Sequence, residues 1–512
     1  MKARALIPFL LVGLSAGSRP AHRSIEADPW IDPAWSESRP GIPRAIIWFD
    51  RQLLDGGDAY ARRTAELGDV RRRAFRTVVV DSLKHMHEAS WRAAAATVER
   101  LERDGVLARC EQHWIVNSVS CDVPDGNVKP LTAIPGAFRI YRDRSRPARE
   151  APGAPVPAEV LCQAPKDDYR PDPARAPWNA RMLKVDQVWR DLGLTGRGTL
   201  SVVHDFGWTL TAPPVVATLW CNAGEIPNNG KDDDGNGYVD DTHGYNANRQ
   251  DGNIIGGNTR NLGLTHGDLT AAMLAGRDIL DTAIVIGMAP GGRWAAVQGD
   301  IMAGVEWALT IGADTYSMSF SIPHLGELRG HWRRVMEHGA LAGLFFVSGA
   351  GNNGNPDSRN FVPPPEQMAI PEGVPLAVFG VSGVGRDGTR PVFSSQGPVV
   401  WETVDYHDGE VQKPDFATVN TNLLGIDSAG HALYRGARGF SGNSFAGPHT
   451  AGILALMLEA DPDLTPWVAR DILVSTARDI DPPGVDVQTG AGLVDAYAAV
   501  LEVQRRAKER GR

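Results

Sequence analysis

Four polar residues stand out for what they could do together: Asp205 in VVHDFG, His266 in LTHGDLTAAMLAG, Asn352 in VSGAGNNG and Ser444 in GNSFAGPHTAG. A serine hydroxyl is a poor nucleophile at neutral pH. It needs a base within hydrogen-bond reach, and that base needs a group that fixes its tautomer and stabilises its cation. His266 and Asp205 can fill those two places. A tetrahedral intermediate also needs donors for its oxyanion, and the backbone amide of Ser444 at a helix start and the Asn352 side chain are of that kind. Taken singly, each has a plainer reading: Ser444 as a helix N-cap, Asp205 and Asn352 as turn residues, His266 as a helix-start histidine held by backbone. It is their joint occurrence that points to acyl transfer.

Such groups need a scaffold that brings distant residues to one edge. The short apolar runs GTLSVVHDFG, TAIVIGMAP, RWAAVQ, ADTYSMSFS, LAGLFFVSGAGN and PLAVFGVSGV end in Gly, Asn or Asp and alternate with helical patterns such as HGDLTAAMLAG and GHWRRVMEHGAL. This alternation predicts a parallel sheet with helices on both faces. Ligands and catalytic groups gather at the carboxyl ends of such strands.

The order Asp, His, Ser along the chain is that of the subtilisin type. HGDLTAAMLAG resembles the histidine box of the subtilase family, GAGN its oxyanion box and GNSFAGPHTAG its serine box, while FSSQGP with KPDF resembles the segment before the serine box. The resemblance covers roughly residues 177–503. It implies a subtilisin-like serine endopeptidase, with Ser444 as nucleophile, His266 as general acid and base, Asp205 as orienting group and Asn352 as oxyanion donor. It implies no cofactor for catalysis. Ser319, Phe320 and Ser321 match the family's Ser-Leu-Gly, which binds substrate as an added strand. Ser321 stands where glycine leaves room for substrate, so the width of the cleft there is open. Phe206, Asp268 and Asn443 also depart from the family pattern. A carboxylate at 268 close to His266 would raise the imidazole pKa, whereas one pointing away would support the helix start. His449, within the serine box helix, is read as structural.

The acidic run EIPNNGKDDDGNGYVDDTHGYN places Asp232, Asp234 and Asn236 at alternating positions, with Gly237 and the Tyr238 carbonyl following as in half of an EF-hand loop. His243 stands where the bidentate Glu would be, so a full EF-hand is not expected. The run resembles calcium loops of some subtilases, which implies a structural Ca2+ with Asp240 or Asp241 completing the site. The plainer alternative is a solvated acidic turn.

The N-terminal part reads as a separate small α/β unit over 43–142. RAIIWFD is a buried strand, SWRAAAATVERLERDGV a helix stopped near Gly105, and WIVNSVSCDV and GAFRIYRD are strands. LERDGVLARCEQHWIVNSVS resembles the propeptide of secreted subtilases, which implies an intramolecular inhibitor removed by cleavage. Proline and charge mark 143–176 as an exposed linker and the expected place of that cleavage. Residues 1–18 have the basic start, short apolar core and small residues of a secretory signal, too short to span a bilayer, and 504–512 form a charged tail. The chain is therefore expected to be secreted, extracellular or periplasmic. A composition with 42% apolar and 22% charged residues is that of a packed protein, and the net charge of −9 gives no general reason to bind nucleic acid. Of the four cysteines, Cys110 and Cys121 are the favoured pair; Cys162 and Cys221 are the others.

Protein or peptide is the expected substrate. A catalytically silent subtilase fold used for binding is the main alternative, motivated by the departures at Phe206, Asp268, Asn443 and Ser321. An α/β-hydrolase esterase is disfavoured because Ser444 lacks the G-x-S-x-G elbow and the order of the three groups differs.

Overall fold

The computed structural model describes residues 28–145, 156, 160, 169–259, 263–277, 287–433, 439–480 and 482–511. The expected signal, most of the proline-rich linker, Cys162 and most of the apolar run TAIVIG lie outside these residues.

The N-terminal unit is a five-stranded sheet in the order β1-β5-β2-β4-β3. Its strands are β1 (Trp30–Ile31), β2 (Arg44–Phe49), β3 (Ala108–His113), β4 (Ser118–Asp122) and β5 (Ala137–Arg142). Between β2 and β3 run α1 (Ala59–Leu67) and the 32-residue α2 (Arg72–Arg103). Every residue of β2 is buried, as its unbroken apolar run predicts. The run WIVNSVSCDV departs from the expectation of a single strand. Trp114 to Asn117 form the turn of a β3–β4 hairpin, with Asn117 at φ +43° and its N–H donating to the Trp114 carbonyl. A disulfide joins Cys110 to Cys121 across this hairpin, and Cys221 is disulfide-bonded as well. The turn is apolar because it is an interface. Ile115 N–H donates to Glu306 (2.9 Å), and the Ile115 carbonyl accepts from His338 Nδ1 (2.6 Å), both on helices of the larger unit.

The larger unit contains β6 (Leu200–His204), β7 (Gly244–Asn246), β8 (Arg293–Gln298), β9 (Thr315–Met318), β10 (Phe345–Gly349), β11 (Val378–Val384), the hairpin β12 (Val399–Thr403) and β13 (Tyr406–Val411), and β14 (Phe416–Val419). Seven of these strands form one sheet, β14-β11-β10-β9-β6-β8-β7, with every pairing parallel. Successive side chains on a strand face opposite ways. Val203, Phe345 and Val347 accordingly join one core with α3 (His266–Ala275), α6 (Ala446–Ala460) and α8 (Ala496–Arg510). Val202 and Phe346 join the other with α4 (Ile301–Thr310) and α5 (Leu328–Leu341).

That second core also takes in Trp48, Leu54, Tyr60, Ile115 and Tyr141 of the N-terminal unit. Several of the polar groups trapped there are paired, whereas the Tyr60 hydroxyl is buried without a hydrogen-bond partner. Trp48 Nε1 donates to His331 Nδ1 (2.8 Å), Tyr141 donates to Asp405 (2.8 Å), and the fully buried Arg334 donates to Tyr406 and to the Leu54 carbonyl. Among the described residues no helix is long and apolar enough to cross a membrane.

Candidate active site

Asp205 follows the last residue of β6, and its side chain is fully enclosed. His266 opens α3, where Thr265 is the N-cap. Its Nδ1 lies 2.8 and 2.9 Å from the two Asp205 carboxylate oxygens, so the N–H there donates to the acid. Two further donors converge on Asp205: the Phe206 N–H (2.8 Å) and Thr270 Oγ1 (3.1 Å). Thr270 went unnoticed in the sequence although it lies four residues after His266, one turn along the same helical face.

Ser444 lies in the 3-10 turn Asn443–Phe445 that leads directly into α6. Its hydroxyl donates to the Ser319 carbonyl (3.4 Å), and Ser319 Oγ donates back to the Ser444 carbonyl (2.9 Å). The His266 ring lies 6.2 Å, centroid to centroid, from Phe445. The loop after β10 brings in Asn352, whose amide oxygen accepts the Asn443 N–H (2.9 Å) and which therefore presents Nδ2 elsewhere. A Cβ placed on Gly442 would sit 4.0 Å from both Asn352 Nδ2 and the Ser444 backbone nitrogen. Two donors thus flank one small space that Gly442, at φ +150°, keeps open.

The departures from the family pattern are built into the support of this site. Asp268 is completely buried and accepts from the Thr209 N–H and hydroxyl, the Leu210 N–H and the Thr265 N–H and hydroxyl, closing a capping box with Thr265. Its partners are thus the residues of the helix start and of the loop after β6. Asn443 is buried and clamps three segments, donating to Gly351 O and to Ser394 Oγ (3.0 Å) and accepting from Asn420 Nδ2 (2.8 Å). Close approach is enforced here, because a Cβ on Gly349 would fall 1.9 Å from the Asn443 carbonyl oxygen. Ser321 donates to Glu372 Oε1 (2.6 Å), a buried carboxylate that the sequence did not single out and that burial pushes up to about 7. His449 is buried between the Phe445 carbonyl and Asn179, and burial lowers it to about 4.

The acidic run folds into a loop between the helix-free stretch near Cys221 and β7. Carboxylate oxygens of Glu225, Asp232 and Asp234 lie within 4.8 Å of one another, a separation that lets all three reach one ion at the ~2.3–2.6 Å typical of Ca2+–oxygen contacts. Glu225, at the head of the run, was missed in the sequence. Its Oε1 accepts the Asp233 and Asp234 N–H groups, whereas Oε2 is buried without a hydrogen-bond partner. Asn236 donates to Asp234 and Asp241, and Asp241 also accepts from Trp307 Nε1 (2.7 Å). Asp240 turns aside to cap the Asn229 and Gly230 N–H groups, and the Tyr238 ring packs on Tyr245.

An all-parallel sheet with an Asp–His pair at one strand end, and a serine beside it at a helix start, defines a subtilisin-like α/β architecture. The chain belongs to the subtilase family of serine endopeptidases: the model of the Subtilase family (Peptidase_S8) matches residues 184–492. Subtilisin DY of Bacillus licheniformis is 27% identical over 244 residues, 46% of this chain and 77% of its own length. Bacillopeptidase F of Bacillus subtilis (strain 168) is 23% identical over 454 residues, which are 84% of this chain but 29% of that protein. The crystal structure of fervidolysin from Fervidobacterium pennivorans, a keratinolytic enzyme related to subtilisin, superposes with a TM-score of 0.53 at 18% identity, covering 93% of this chain and 63% of that one.

Proposed function

We propose that the chain is an exported serine endopeptidase made as a self-processed zymogen. In this reading Ser444 Oγ attacks the scissile carbonyl while His266 takes its proton and passes it to the leaving amine. Asp205 holds the imidazole through Nδ1, and the Ser444 N–H and Asn352 Nδ2 receive the oxyanion. Water then repeats the cycle on the acyl-enzyme and restores Ser444. The observation that carries this is the 2.8 Å Asp205–His266 contact, made beside a serine whose N–H shares its open side with Asn352.

The residues after β5 support an inhibitory N-terminal unit: Ser145 lines the same pocket as Asp205, Phe206, Phe320 and Ser321. Ser145, the last described residue of that unit, thus reaches the pocket beside Phe320 and Ser321, the strand along which substrate would add. Residues 1–18 are its signal and 143–176 contain its processing site. A calcium ion held by Glu225, Asp232 and Asp234, with Asn236 and Asp241 behind them, would fasten the loop without entering the chemistry. The disulfide Cys110–Cys121 accords with an oxidising compartment.

A serine-directed phosphonate tests the nucleophile. It is expected to add one label to the processed chain and none to Ser444→Ala. Absence of labelling on folded, processed protein would favour the silent fold instead.

A further inference from the structure

We propose that Val156 and Val160 stay with the mature peptidase as an anchor on its acidic loop, so that maturation cuts the chain on the amino side of Val156; this rests on the peptidase reading above. The described residues before and after that point bind different units. Up to Ser145 they hold to the N-terminal unit: the Asp143 N–H donates to the Arg44 carbonyl, Arg144 pairs with Glu37, and the Ser145 hydroxyl donates to Asp143 (2.6 Å). Ser145 itself lines the pocket beside Asp205.

From Val156 onward they hold to the peptidase. Proline and charge predict an exposed linker over 143–176, yet Val156 is only 9% exposed and joins the core that contains α3 and α6. Its carbonyl accepts from Asn228 Nδ2 (3.4 Å), and the Val160 carbonyl lies 3.0 Å from His243 Nε2. Asn228 precedes Asp232 and Asp234 in the acidic run and His243 follows Asp241, so the two contacts hold the loop at both ends. His243 is buried, and its Nδ1 lies 2.8 Å from the Trp220 carbonyl. Further along the chain, the Arg277 guanidinium, just beyond α3, lies over the Tyr169 ring at 4.5 Å, and Arg170 donates to the Gly193 carbonyl (2.9 Å). A cut between Ser145 and Val156 severs none of these contacts. One beyond Val160 would carry the anchor off with the N-terminal unit, taking Val156 out of the core and removing the carbonyls that Asn228 and His243 meet.

The first test is the intact mass of the self-processed wild-type chain under reducing conditions, with N-terminal sequencing. A new N-terminus between residues 146 and 156 is the predicted result; any later start overturns the anchor while leaving the peptidase reading intact. The second test needs no self-processing. Ser444→Ala is digested with elastase, which cuts after small residues, here Ala148, Ala158 and Val160. Cleavage after Ala158 or Val160 should be at least about tenfold slower than after Ala148, because the anchor must open before it is cut. Adding Val156→Asp should abolish that difference, and adding Val156→Ile should keep it. Equal rates at the three sites, or a difference that Val156→Asp leaves unchanged, overturn the anchor. Slow cleavage at Ala158 and Val160 beside a wild type that never processes itself keeps the anchor and removes the zymogen reading.

Discussion

At the scale of residues, charge development falls in the proposed mechanism to two donors and proton transfer to one imidazole. Asn352 accepts the Asn443 N–H through its amide oxygen, so truncation removes the Nδ2 donor and also an acceptor that anchors the residue before Ser444. Asn352→Ala is expected to lower kcat by about 100- to 1,000-fold with little change in KM, the loss known for such a donor in subtilisin. Steady-state kinetics on a soluble peptide reads it; a loss under tenfold would remove Asn352 from the oxyanion. The four residues that the proposed mechanism uses could be singled out in the sequence because the histidine, oxyanion and serine motifs, with the aspartate before them, follow a distinctive order. The supporting residues were not. Asn443, Asp268 and Ser321 look like departures in a linear string, and only the fold shows that they hold Gly351, Thr209 and Glu372.

At the scale of elements, the acidic loop makes the clearest prediction. Glu225, Asp232 and Asp234 crowd three carboxylates together, and one buried Glu225 oxygen has no hydrogen-bond partner, so a cation should stabilise the loop. Chelation is expected to lower the melting temperature by several degrees, with Ca2+ restoring it. Glu225→Gln should blunt that response. Equal melting with chelator and with excess Ca2+ would argue for the solvated turn. Here the sequence revealed the Asp-x-Asp-x-Asn spacing but not Glu225, since no local period links residue 225 to residue 232. Central strands such as β6 and β10 were legible as apolar runs of sufficient length. The edge strands β7 and β14, of three and four residues, were too short to rise above their surroundings. The β3–β4 turn misled for a physical reason: Trp114, Ile115 and Val116 are strand-forming residues, but here Ile115 and Val116 are buried in the core shared with α4 and α5, and Trp114 packs half-buried against it.

At the scale of the whole molecule, the two units share a core, and its polar contacts include neutral histidines. Burial lowers His331 and His338 from 6.5 to about 3, and they contact Trp48 and Ile115 across the interface. Unfolded, both would take up protons near pH 6.5, whereas folded they do so only near pH 3. Their neutral state therefore costs no stability above pH 6.5, and the folded form loses stability progressively as pH falls from there toward 3. Each contributes up to about 1.4 kcal/mol per pH unit. The melting temperature of the unprocessed Ser444→Ala chain should decline below pH 6.5, and His338→Gln should flatten part of that decline. Identical slopes would show that this histidine is not buried neutral in the interface. Self-processing is read by intact mass followed over time, on the wild-type chain lacking residues 1–18 beside Ser444→Ala, both with Ca2+. Loss of the N-terminal unit in wild type alone is the predicted result. Two folded chains that both keep their full mass would contradict the zymogen and leave the subtilase fold as a binding scaffold.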